Sequence, residues 1–298
     1  MTITMTGATG FLGQAAIKTL LSQGHTIRAL GRRRSASLPA PVAFWPWDAT
    51  SDPPPESLAG ADAVIHLAGE SVAQRWTPEA KARIRDSRVE GTRHLVQAFS
   101  AEPRPQVLVC ASATGIYGSR GEEVLTESSS PGSDFLSRLA IQWENAAALA
   151  EPLGVRVVQL RFGLVLGRGG ALAKMLPPFR FGAGGRLGSG RQWMSWVHIQ
   201  DAVRLILFAI ENAALRGPVN AVTPHPVTNA EFTRQLAAAL HRPAIFPAPA
   251  FALKLLFGEM AELLLASQRV LPQVVQTAGF HFDYPELGRA LAGILTAH

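Results

Sequence analysis

No carboxylate occurs before Asp48, and the 298 residues contain one cysteine, four lysines and two tyrosines. A lone thiol, Cys110, rules out a disulfide framework. It lies in the apolar stretch 107–110, so a buried, unpaired core residue in a reducing compartment is expected. None of the eight histidines stands at metal-ligand spacing with cysteine or acids, so no metal is expected. The net charge of +6 and pI near 10.2 would suit nucleic acid. However, Lys18, Lys81, Lys174 and Lys254 are far apart, and the arginines are scattered except at 32–34. Aromatic and basic residues do not interleave as nucleic-acid binding requires, so that partner is not expected. No apolar run reaches the ~18 residues of a membrane span, and a strand beginning at Thr2 leaves no room for a leader. A cytoplasmic protein is expected, monomeric or homodimeric, with a small molecule as its partner and no membrane contact.

What is present begins at the N-terminus, with MTITMTGATGFLG. Residues 2–5 alternate as a short strand, and 11–23 repeat apolar residues at helical spacing. Between them a glycine-rich turn aims unpaired backbone N–H groups and the positive end of a helix dipole at one point, which suits a pyrophosphate. Gly7 permits the tight turn, Gly10 the approach of phosphate and Gly13 close packing of helix on strand. Thr9, Phe11 and Leu12 complete the turn. A second strand, 26–30, is followed by Gly31, Arg32, Arg33 and Arg34. An NAD site of this kind carries an acid about 20 residues past the glycines, on the ribose hydroxyls. Here Arg32 and Arg33 stand in that region and would meet a 2′-phosphate, so NADP(H) is expected over NAD(H). The plainer alternative is a solvated basic turn.

A composition 47% hydrophobic can bury a large core of one or two domains. Strands at 63–67, 106–111 and 155–161 alternate with helices at 78–100 and 134–151, and a helix at 198–212 precedes a strand at 218–222. The pattern predicts an α/β fold with a doubly wound parallel sheet. The glycine-rich stretch 165–195, with Pro177 and Pro178, breaks the alternation and is expected as loop. The dinucleotide-binding domain is therefore assigned to 1–164 and 197–222. A smaller, discontinuous, mainly helical lobe on the substrate side is assigned to 165–196 and 223–298.

The elements GATGFLG, HLAGE at 66–70, SATGIYG at 112–118, RFGLVLG at 161–167 and SWVHIQDAV at 195–203 resemble the extended short-chain dehydrogenase/reductases, the nucleotide-sugar epimerase type. The stretches LAGESVAQRWTPEAKARIRDSRVEGTRHL at 67–95 and GEMAELLLASQRVLPQVVQTAGFHFDYPELGRAL at 258–291 resemble an atypical "epimerase family" branch, whose C-terminal segment is a domain of unknown function. The resemblance covers essentially the whole chain. It implies a Rossmann fold and NADP(H) binding, and it implies no particular substrate.

The same resemblance exposes a gap. The extended family uses a tyrosine with a lysine four residues later, the lysine lowering the phenol pKa. Here Tyr117 and Tyr284 are followed at that distance by Gly121 and Gly288, and the matching positions are Leu136 and Ala140. The usual catalytic hydroxyl position is Ala113, flanked by Ser112 and Thr114. Candidate replacements lie near the ends of the central strands. Glu70 is read as a proton carrier or, more plainly, as a helix cap or arginine partner. Tyr117 is expected to face the cleft, for chemistry or for packing. Ser112 would bond substrate or cofactor, or act structurally. Leu67, Ala68 and Gly69 are expected beside the cofactor, and Asp48 at the adenine, with Trp45 and Trp47 nearby. Trp76, Arg161, Trp193, Trp196 and His198 are candidates for the substrate pocket; the plainer reading for the aromatics is core packing, and for His198 a helix boundary.

Overall fold

The computed structural model describes residues 1–296. Seven strands form one parallel sheet: β1 (Thr2–Thr6), β2 (Thr26–Gly31), β3 (Ala43–Pro46), β4 (Ala63–His66), β5 (Val107–Ala113), β6 (Arg156–Phe162) and β7 (Gly217–Ala221). Their order is β7-β6-β5-β4-β1-β2-β3. The chain winds outward from β1 in one direction, then returns past it to β4 and winds the other way. This reversal between β1 and β4 is where a Rossmann sheet leaves a crevice at the strand C-termini. Thr6 pairs in register with both Leu30 and His66 at that edge.

The central strands are buried on both faces, as near-continuous apolar runs require. On one face lie α1 (Phe11–Ser22) and the helix Ile199–Glu211, packing Ile17, Leu20, Leu205 and Ile206 against Ile3, Ile27 and Val109. On the other lie α2 (Pro78–Asp86), α3 (Val89–Gln97) and α4 (Phe135–Ala148), with Leu95, Phe99 and Trp143 over Val64 and Leu108.

Three expectations change. The single helix at 78–100 is two helices, broken at Ser87 and Arg88. The Ser87 hydroxyl donates to the Ile84 carbonyl, and the Arg88 guanidinium folds back to the same carbonyl and to that of Glu70. The stretch 165–195 is not all loop, because it contains α5 (Gly170–Arg180). Pro177 and Pro178 sit in its last turn with exposed side chains; each removes one i−4 bond, and the residues whose carbonyls are left free, Ala173 and Lys174, are exposed to water. Strand β3 has no counterpart in the sequence reading. It is a four-residue edge strand ending at Pro46, too short to show a period.

A second core lies beyond the sheet. Leu166, Leu172, Leu176, Phe179 and Trp196 pack with Phe232, Leu236, Leu287, Leu291 and Ile294. The last five come from α7 (Asn229–Ala239, taking Ile199–Glu211 as α6) and from the helix Leu287–Thr296. Between these two helices lie α8 (Ala250–Phe257) and α9 (Ala261–Leu265).

Candidate functional site

The turn after β1 is shaped by close backbone approach. Gly7 has φ +69°, and a Cβ there would lie 2.6 Å from the Leu67 carbonyl carbon. A Cβ at Gly13 would lie 2.2 Å from the Gly7 oxygen. Gly10 caps α1 with no side-chain hydrogen bond and no acid in the first turn. The first N–H groups of that helix, at Phe11 and Leu12, therefore meet a cradle without an internal acceptor. Thr9 is exposed, and its carbonyl accepts from the Gln14 side chain at 2.7 Å. The cradle, the dipole and the bare Gly10 fit a pyrophosphate. Beside it, Gly167, Gly169 and Gly170 wrap the Phe11 ring so closely that a Cβ on any of them would approach within 2.8 Å.

At the end of β2, Arg32 and Arg33 are exposed and take no hydrogen-bond partner among the described residues. Arg34 instead donates to the Val42 carbonyl at 3.2 Å. Asp48 is exposed, and its carboxylate accepts from the Thr50 backbone at 3.0 Å and hydroxyl at 2.7 Å. Those bonds hold its pKa below the usual carboxylate value. Trp47 is buried, with its indole N–H on the Ser51 carbonyl, and Trp45 carries the Arg28 guanidinium on its face.

The loop after β4 is held by a buried relay. The Ala68 N–H donates to Thr6 Oγ1, and that hydroxyl meets His66 Nδ1 at 2.7 Å. His66 Nε2 meets the Thr92 hydroxyl at 3.0 Å, which in turn donates to the Arg88 carbonyl. Burial, helped by the Arg88 charge, drops the His66 pKa to about 4. Gly69 is pressed against the Arg88 guanidinium, 2.8 Å from where its Cβ would be. The Arg88 pKa is lowered to about 10 by burial, an effect the Glu70 charge opposes. Glu70 is half-buried; its N–H donates to the Ser87 oxygen at 2.9 Å and its carboxylate accepts only a 3.4 Å contact from Gln74.

Ser112 and Tyr117 lie in the interior, not on the cleft face. Ser112 donates to Glu144 Oε1 at 2.6 Å. Arg161 grips both Glu144 oxygens at 2.8 Å and donates to the Tyr117 hydroxyl at 2.9 Å. The Tyr117 hydroxyl donates to Asn220 at 2.7 Å, and its ring stacks under Arg161. Burial raises the Tyr117 pKa despite Arg161. Burial also disfavours the Arg161 charge, but Glu144 outweighs it and the pKa is raised. The expectation that Tyr117 faces the cleft is therefore corrected: two distant strands, through Arg161 and Asn220, consume its hydroxyl. Arg161 lines a cavity of about 200 Å³ with Ile116, Ile141, Glu144 and Asn145.

The aromatic pocket candidates divide. Trp196 is fully buried in the second core, with its N–H on the His225 carbonyl. Trp76 is buried edge-on to Phe135, its N–H on Val72. His198 caps α6 through Nδ1 and stacks on Tyr284 at 3.9 Å. These three act as packing and capping groups and are corrected from pocket walls. Trp193 is half-buried, bonded to Glu122 at 2.7 Å and covered by Arg269.

Comparison with known proteins adds the family. The profile of the NAD dependent epimerase/dehydratase family matches residues 3–221, and a domain of unknown function, DUF1731, matches 248–294. This chain belongs to the NAD-dependent epimerase/dehydratase family. It is 40% identical to the epimerase family protein YfhF of Bacillus subtilis, over 99% of this chain and 98% of that protein. It is 41% identical to the chloroplastic SDR39U1 homolog of Arabidopsis thaliana, over 99% of this chain and 87% of that protein. The crystal structure of human epimerase family protein SDR39U1 (isoform 2) with NADPH superposes with a TM-score of 0.89 at 35% identity, covering 99% of each chain.

In this epimerase-family chain, Leu136 packs against the apolar cluster of Trp76, Ile84, Val89, Leu139 and Met260, and Ala140 is buried in a cluster with Ile116 and Tyr117. Both positions are apolar in surroundings as well as in identity. Arg88, Glu144 and Asn220 were not picked out as site residues. The partners cited for them lie 17 to 103 positions away, so no local motif marks them.

The His66 relay makes stability depend on pH. The folded pKa, about 4, lies below the ordinary value of 6.5, so the unfolded chain takes up the proton first. The contribution is complete above pH 6.5 and is lost as pH falls toward 4, on the order of 3 kcal/mol. We predict that urea titrations across this window show a steeper loss in the wild type than in His66→Asn. Parallel pH profiles would contradict the assignment.

Proposed function

We propose that this chain binds NADP(H) in preference to NAD(H) and acts as an oxidoreductase on a small, unidentified substrate without the Tyr-x-x-x-Lys pair. The observation that carries the cofactor choice is the unengaged pair Arg32 and Arg33 at the end of β2, where no carboxylate stands. A guanidinium there gives charge-assisted bonds to a 2′-phosphate and nothing comparable to a bare ribose. The N–H groups of Phe11 and Leu12 would hold the pyrophosphate. Asp48 would lie toward the adenine, and the backbone of Leu67, Ala68 and Gly69 would run beside the ribose. NADPH in the human relative supports the same reading. When bound, the nicotinamide supplies or accepts a hydride.

Glu70 is the proton carrier in this reading. Its carboxylate is the one ionisable side chain among the three catalytic candidates that no strong internal bond consumes. The Arg88 guanidinium packs against Gly69 and donates to the Glu70 carbonyl, which fixes the loop that carries this carboxylate. A second reading is a silent NADP(H)-binding regulator, favoured by the commitment of Ser112 and Tyr117 to the buried network. The lone buried thiol of Cys110 accords with a reducing, cytoplasmic setting.

We predict that NADPH binds about ten- to a hundredfold tighter than NADH, and that Arg32→Ala with Arg33→Ala removes most of the difference while sparing NADH. Fluorescence titration of both cofactors checks this, and equal wild-type affinities would overturn it. In a screen of carbonyl compounds for NADPH oxidation, Glu70→Gln should lower kcat at least about tenfold with NADPH affinity intact. Unchanged turnover removes Glu70 from the chemistry. No turnover on any compound favours the silent reading.

A further inference from the structure

The charge of the chain is concentrated in two stretches that contain no acid. Residues 168–192 carry Arg168, Lys174, Arg180, Arg186 and Arg191, and residues 240–258 carry Arg242 and Lys254. These seven charges exceed the whole-chain net of +6, so the remainder is net negative by one. All seven side chains are exposed, and none forms an ion pair among the described residues. Outside these stretches several exposed arginines are paired: Arg85, Arg93, Arg120 and Arg204 each hold a carboxylate.

The same stretches hold most of the large apolar side chains left in solvent. Phe181 is 87% exposed and Leu255 80%, with Phe251, Ile245, Leu256 and Phe246 each at 60% or more. The two stretches are joined. The Ala248 N–H donates to the Arg186 carbonyl at 2.9 Å, and the Gly188 N–H donates to the Ala248 carbonyl at 2.8 Å. A cavity of about 520 Å³ opens there, lined by Arg186, Arg234, Arg242, Ile245 and Pro247. In α8, Phe251 and Leu255 stand four residues apart and share one helical face.

We propose that this face docks on an anionic lipid surface. Exposed Phe and Leu on a short helix enter the headgroup boundary, while a rim of unpaired cations meets lipid phosphates. A second copy of this chain is disfavoured, because it would set the unpaired cations of one copy against those of the other. No helix among the described residues is long and apolar enough to span a membrane, and surface docking needs none. The sequence expectation of no membrane contact rested on spanning length alone.

The test uses the full chain with vesicles of phosphatidylcholine alone or mixed with phosphatidylglycerol, read by flotation. The anionic vesicles should bind at least about tenfold more tightly, and added salt should weaken the binding. Phe251→Glu with Leu255→Glu, and separately Arg180→Glu with Arg242→Glu, should abolish it. Melting temperature and NADPH affinity should stay unchanged in both variants. Equal binding to both vesicle types, or none, overturns the proposal. Absence of vesicle binding with concentration-dependent association in sedimentation would assign the face to a second copy instead.

Discussion

Backbone meets backbone where β1 turns into α1, and the rest of the site depends on that contact. The chain at Gly7 lies so near Leu67 that any side chain would strike the carbonyl group. Gly13 lets α1 settle onto Gly7 in the same way. These two approaches bring the helix N-terminus to the crevice between β1 and β4, and they set the 67–70 loop beside it. The relay Thr6, His66, Thr92 then holds that loop from below through buried hydrogen bonds. A group in so dry a place stays neutral, which couples the loop to acid.

The second organising feature is the ion pair of Glu144 and Arg161. Two charges are buried together, and the desolvation cost is offset only because every oxygen and most of the N–H groups find partners. Ser112 and Tyr117 are drawn into this pair as hydrogen-bond partners. Leu136 and Ala140, on the helix that carries Glu144, face apolar neighbours. In the proposed function the proton-handling role falls to the loop after β4, where Glu70 sits beside Arg88.

Six of the seven strands of the sheet and the glycine turn were legible in the sequence, because period and punctuation are local. The Arg32 and Arg33 positions were legible for a related reason, since the turn sets the spacing to the end of β2. Other features were not. The break between α2 and α3 comes from Arg88 reaching Glu70, 18 positions away. Glycines and prolines hid α5, although its apolar face closes the second core. Tyr117 was expected at the cleft because a loop position says nothing about partners, and its partners Asn220 and Arg161 come from other strands. Trp76 and Trp196 show the same limit: an aromatic beside a cleft in sequence is as readily a core residue.

A crystal structure of the complex with NADPH tests the central claim most directly. The account predicts the pyrophosphate on the N–H groups of Phe11 and Leu12 and the 2′-phosphate on Arg32 or Arg33. It also predicts the Glu70 carboxylate within about 3–4 Å of a substrate atom at the nicotinamide C4 or of one bridging water. A complex with Glu70 turned away, and only apolar side chains around the nicotinamide, would contradict it.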